Sequence, residues 1–175
     1  MQLIIPADLA ERLHLELKGA GRREMGGILM GQNVGPDVFK LIEMTFQRSG
    51  GRHACFSRSS ALHDRALKKF FDRTGHQYTD FNYIGEWHSH PSFALRPSDI
   101  DHATMMTLVR RDMEVNFALL LLVKLGTDEQ LEYETYVYSG ARPPGRIEVA
   151  VEQGCDAVAQ DQGRRVPAWL RWLGL

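Results

Sequence analysis

Two cysteines, Cys55 and Cys155, stand a hundred positions apart, and neither belongs to a Cys-x-x-Cys motif. That excludes a disulfide framework and leaves two idle thiols in a reducing compartment as the reading. Long apolar runs are missing as well. The longest, "FALLLLV" at 117–123, has the length of a strand and falls far short of the roughly 20 residues that span a bilayer. The N-terminal "MQLIIPADLAERLHLEL" has no basic start and no small-residue cleavage site, and its apolar run stops at Pro6. A dominant charge is missing too, since 21 basic and 22 acidic residues leave a formal net charge of −1. Nothing in that total favours a nucleic-acid or membrane partner. The local pairs Lys68-Lys69 and Arg110-Arg111 read as solvated helix faces. The expectation is a cytoplasmic globular chain.

What is present suffices for one core. At 175 residues with 43% hydrophobic content, the chain can bury a single domain without metal or disulfide staples. Leu9, Leu13 and Leu17 recur at helical spacing and predict a helix over 7–18, with Asp8 favouring its N-terminal dipole and "GAG" at 19–21 ending it. Ile28, Leu29 and Met30 form a short strand between glycines, and "VFKLIEMTFQ" at 38–47 a second, with "NVGPD" as the turn. A helix is expected from Ser59 or Ser60 to Gly75. A strand follows in "FNYIGEWHSH", ended by Pro91, and a helix from Ser98 to about Arg111. "EVNFALLLLVKL" and "QLEYETYVYS" close the series as a hairpin joined at "GTDE". Such alternation predicts an α/β or α+β fold, a three-layer sandwich of helices around a mixed sheet. Composition changes at "GARPPGR", so 1–140 reads as the domain and 141–175 as an extension. Trp169 and Trp172 in that tail would pack on the core or face a partner.

The chemistry concentrates in "GEWHSHPSFALRPSDIDHATM" at 85–105. Residues two apart on a strand share a face, so His88 and His90 aim both imidazoles one way, with Trp87 and Ser89 behind. Pro91 has no N–H for the ladder, which puts the pair at a strand end. Ten residues separate His90 from Asp101, on the first turn of the next helix, and a loop of that length can return the carboxylate to the imidazoles. Two neutral imidazoles and one carboxylate make a three-ligand zinc site with a fourth position open, which is the form of a catalytic site. Ser98-Asp99-Ile100-Asp101 is equally a plain capping box. The two readings coexist, because a cap can orient the carboxylate that binds metal.

"HSHP…PSDID" follows His-x-His-Pro-x6-Ser-x-x-Asp and resembles the signature of JAMM (MPN-plus) metalloproteases; "GEWHSHP" is similar to the prokaryotic JAB branch. Glu24 in "REMGGILMG" stands where that family has an upstream glutamate, and the resemblance spans about Leu3 to Ser139. It implies a curved mixed sheet flanked by helices, as in cytidine deaminases, and one zinc per chain held by His88, His90 and Asp101. Glu24 would be general base and then acid, not a ligand. Ser98 would donate to the oxyanion. The implied activity is an isopeptidase cutting after the C-terminal glycine of a ubiquitin-like protein. E1- and E2-like enzymes would be partners, several such systems being anti-phage.

The second zinc-bearing insertion of chain-specific deubiquitinases is missing, because only "DMEVN" follows the aspartate helix. The family's other insertion would lie in 56–84 and supply modifier contacts. Three alternatives stay open: a peptidase for a sulfur-carrier protein, an inactive MPN scaffold, and a DNA-repair relative with a His-x-His-Pro loop. Presence of all the ligands disfavours the scaffold; the absence of a basic patch disfavours the DNA-repair relative. His14, His53, His63, His76 and His102 have no assigned role, although His102 adjoins a ligand.

Overall fold

The computed structural model describes residues 1–47, 51–52, 55–56, 60–111 and 116–153. Cys155, Trp169, Trp172 and His53 lie outside them. The elements run β1 (Gln2–Ile5), α1 (Ala7–Ala20), β2 (Gly26–Gly35), β3 (Val38–Met44), β4 (Gly51–Arg52), β5 (Cys55–Phe56), α2 (Ser60–Arg73), β6 (Phe81–Ser89), α3 (Asp99–Arg111), β7 (Phe117–Leu125), β8 (Leu131–Ser139) and β9 (Gly145–Val151). Among the described residues no helix is long and apolar enough to cross a membrane.

Leu9, Leu13 and Leu17 are the buried stripe of α1, as their spacing requires. The helix runs past Lys18 to Ala20, because it is Gly21 that takes the left-handed φ of 61° and returns its N–H to the Leu17 carbonyl. The run in β7 is apolar throughout because both its faces are covered. Leu119, Leu121 and Val123 join the α1 leucines in an inner core, while Ala118, Leu120 and Leu122 pack with Met105 and Val109 of α3 on the outer face. A second outer cluster sets Phe70 of α2 against Ile28 and Met30 of β2.

The expected sandwich needs correction. Helices do lie on both faces, but the sheet closes into a barrel in the order β1-β3-β2-β6-β7-β8-β9. Closure comes from β1 and β9, which pair in parallel from Gln2↔Glu148 to Ile5↔Val151. A backbone bond from Glu152 N to the Ile5 carbonyl (2.9 Å) and an ion pair from Lys40 to Glu152 (2.6 Å) fasten the seam. Residues 145–151, drawn from the sequence as the start of an extension, therefore form a strand of the sheet. Ile147, Val149 and Val151 pack against the inner core, alternating with Arg146 and Glu148. That period of two was present in the sequence, hidden behind the "RPPG" break. β1 was too short to stand out beside the helix it leads into.

Two features of β6 position the site. The β2–β6 register shifts between Leu29 and Met30, and Gly85 sits at the irregularity with φ of 151°. A Cβ on Gly85 would lie 2.0 Å from the Leu119 carbonyl oxygen, so only glycine fits there. Because of the shift, Ile84 and Trp87 both belong to the inner core although they are three apart. His88, in register with Leu122, then faces outward towards α3. β6 and β7 are parallel and joined through α3, so the C-terminal end of β6 and the N-terminus of α3 meet at one end of a crossover unit. Ligand sites of such units form there.

Candidate metal centre

The strand β6 ends as Pro91 dictates, with the last backbone bond made by His90 N to the Val123 carbonyl at 2.8 Å. Trp87 is fully buried behind the site and donates its indole N–H to the Thr45 carbonyl at 2.8 Å. Ser89 is buried too: its hydroxyl accepts from Met25 N at 2.9 Å, and its own N–H donates to the Met25 carbonyl at 2.8 Å. This double bond pair ties the β2 entry to the end of β6, with Gly26 in register with His88.

His88 and His90 share a face, their ring centroids 4.8 Å apart and their Nε2 atoms 2.9 Å apart. The Nδ1 of His90 lies 2.8 Å from the Ala94 carbonyl. A carbonyl only accepts, so Nδ1 carries the proton and Nε2 presents a lone pair. A proton on His88 Nε2, or a cation, must therefore lie between the two rings. Burial of His88, whose side chain is 12% exposed, pushes its pKa down to about 4; the nearby Asp101 charge opposes that shift and His90 adds to it. His88 is neutral near pH 7, the state a metal ligand needs.

Asp101 reaches the pair as a capping box. Its N–H donates to Ser98 Oγ (3.2 Å), while its Oδ2 accepts from Ser98 N and Ser98 Oγ, each at 2.7 Å. With Oδ2 doubly bonded, Oδ1 is turned to His88 Nε2 at 3.4 Å. The cap and the ligand are thus the same carboxylate, used through different oxygens. One potential ligand atom from each of His88, His90 and Asp101 falls within 4.8 Å of the others. Zinc bonds of about 2.0–2.2 Å in a tetrahedron put ligand atoms roughly 3.3–3.6 Å apart, so the cluster closes on such an ion with small adjustments. The donor set of two imidazoles and one carboxylate suits it, and His90 already has the carbonyl partner that fixes a ligating ring.

The other predicted residues are placed differently. Glu24 sits half-buried just before β2 and outside the three-residue cluster. Its neighbour Met25 is the residue stapled to Ser89. Ser98 is exposed and engaged with Asp101. His102 does have a partner: its Nδ1 lies 2.8 Å from the hydroxyl of Tyr138, a fully buried residue. Burial, then the Asp101 charge, pushes the Tyr138 phenol up, so it stays protonated. Tyr136 donates its hydroxyl to the Leu95 carbonyl at 3.3 Å. Neither tyrosine was singled out from the sequence, though "YVY" in a strand puts both on one face. The Ala94 carbonyl left no sequence signal, since any residue has one. His63 is buried between Thr45 and Gln47, and His14 and His76 make exposed contacts. A separate groove of about 310 Å³ on α1, lined by Arg12, Leu15, Arg23 and Met25 among others, holds none of the three cluster residues.

The model of prokaryotic homologues of the JAB domain matches residues 6–136. The chain belongs to the prokaryotic JAB family. The match covers every residue of the cluster and stops short of β9. The solution structure of a Desulfitobacterium hafniense protein superposes on this JAB domain with a TM-score of 0.62 at 17% identity, covering 86% of this chain and 93% of that one. That likeness speaks for the fold. Among curated proteins nothing matches.

Proposed function

We propose that this JAB domain is a zinc metallo-isopeptidase that cuts after the C-terminal glycine of a ubiquitin-like protein, maturing its precursor, releasing its conjugates, or both. The observation that carries the reading is the convergence of His88, His90 and Asp101 at the end of β6, with the spare carboxylate oxygen already occupied by Ser98. Zinc held there would polarise a substrate carbonyl and lower the pKa of a water towards neutrality.

The chain's own groups supply the remaining chemistry. Glu24, which precedes Met25 and its hydrogen bond to Ser89, would take a proton from the attacking water and return it to the leaving amine. Ser98 turns its O–H from Asp101 towards the oxyanion as negative charge develops there. The partners would be a ubiquitin-like protein with its conjugates, and E1- and E2-like enzymes of a bacterial conjugation system. The barrel has no edge strand to offer an extended tail. Among the described residues, the two-stranded β4–β5 sheet does have an edge, and strand addition there is the capture mode we favour.

The test is zinc content and cleavage measured on the same samples. Wild type should hold about one zinc per chain and cut a diglycine-linked fusion of a ubiquitin-like protein. Glu24→Ala should keep the zinc and lose the cleavage. Loss of zinc in that variant would make Glu24 a ligand. A wild type that takes up no zinc would leave the scaffold reading in its place.

A further inference from the structure

We propose that Tyr136 and Tyr138 of β8 are positioning residues of the metal centre, whose hydroxyls hold the His90–Asp101 connection in place from the strand behind it. The inference rests on the metal-centre reading above. The two tyrosines stand two apart, in register with Leu120 and Ala118, and so project from the outer face on which α3 packs. Each hydroxyl meets a different part of the connection. Tyr136 bonds the Leu95 carbonyl, in the loop one residue beyond the carbonyl that fixes His90. Tyr138 bonds His102, the residue after Asp101, whose own N–H closes the first turn of α3 onto the Ser98 carbonyl at 2.9 Å.

The connection from Pro91 to Ser98 has no regular secondary structure. Packing alone does not fix such a backbone, because an apolar contact tolerates sliding whereas a hydrogen bond sets a distance and a direction. Phenylalanine would fill the same volume beside Leu120 and Met105 without bringing a polar atom into the outer core. A buried hydroxyl costs stability unless it is partnered, as that of Tyr138 is, and the partners of both tyrosines belong to the segment that carries a ligand. His88 is held by β6 and His90 by its backbone bond to Val123; Asp101 is held by the packing of α3 on the outer face, by the Tyr138–His102 bond and, through the loop, by the Tyr136–Leu95 bond. Neither tyrosine touches the reacting atoms.

The test measures zinc affinity by competition with a chromophoric chelator, together with the visible spectrum of the cobalt-substituted protein. Wild type, Tyr136→Phe, Tyr138→Phe, His102→Ala and the Tyr138→Phe/His102→Ala double variant are compared. Partners of this kind typically change metal affinity about 10- to 100-fold. Tyr138→Phe should weaken zinc by about that factor and alter the cobalt spectrum, with Tyr136→Phe acting in the same direction. The double variant should bind no more weakly than His102→Ala, because Tyr138 acts through His102. Wild-type affinity and spectrum in both phenylalanine variants, whatever their melting temperatures, would make the hydroxyls purely structural and overturn the inference. If Tyr138→Phe does not fold, Tyr136→Phe decides alone on the same readouts. A wild type that binds neither metal would overturn the metal centre, and this inference with it.

Discussion

Removing one oxygen at Ser98 separates the two uses of the capping box. In Ser98→Ala the helix loses the acceptor for Asp101 N (3.2 Å), and Asp101 Oδ2 loses one of its two donors. Losing the cap costs about 1 kcal/mol, which lowers the melting temperature by roughly 2–4 °C in a domain of this size. Losing the donor frees the carboxylate to rotate about its bond to the remaining Ser98 N–H. That should weaken zinc by about 10- to 100-fold. Ser98→Gly distinguishes the two effects, because glycine caps a helix nearly as well as serine and costs only a few tenths of a kcal/mol. It should melt close to wild type yet bind zinc as poorly as the alanine variant. Ser98→Thr, which keeps the hydroxyl, should retain both properties. The assay is thermal unfolding of metal-free protein by circular dichroism, followed by chelator competition on the same preparations. Wild-type zinc affinity in Ser98→Gly would refute the claim that the hydroxyl aims Asp101. At saturating zinc, a further drop in kcat of about 100- to 1,000-fold would report the oxyanion role separately.

The pH dependence of the metal-free protein follows from His88. Its pKa is about 4 in the fold against an ordinary value near 6.5, so between those values the unfolded chain binds the proton first. Stability should be intact above about pH 6.5 and fall by about 3 kcal/mol as the pH drops towards 4. Urea unfolding across that range should show the slope in wild type and a flatter one in His88→Gln; equal slopes would show that burial of His88 is not its cause. Thr135 offers the opposite perturbation, since its fully buried hydroxyl has no hydrogen-bond partner among the described residues and faces the inner core between Tyr133 and Val137. Thr135→Val should raise stability by about 1 kcal/mol, measured as a higher urea midpoint at unchanged slope. A lower midpoint would mean that the hydroxyl is satisfied after all.

The site was more legible than the frame around it, for physical reasons. Strand alternation, the strand-ending Pro91 and the capping box are local rules, and each involves residues within a few positions of one another. They were enough to bring His88, His90 and Asp101 together in the reading, as they are in the fold. Closure of the barrel is a non-local event between Gln2–Ile5 and residues near 150, and a four-residue strand carries almost no periodic signal. The register shift at Gly85 was equally out of reach, because its cause is the Leu119 backbone on another strand. The anchors at Tyr136 and Tyr138 fall between these cases: their shared face was readable, but what they touch was not.

The β1–β9 seam makes the sheet a ring, and a ring cannot lose one strand without gaining two edges. A fragment ending at the "RPPG" break would drop β9 and leave β1 and β8 as two bare edges; one ending at residue 136, where the family match ends, would also cut β8 short and remove Tyr138. Such edges pair with neighbouring chains. Loss of β9, which carries none of the cluster residues, would thus be felt first as aggregation, and only then as a missing activity.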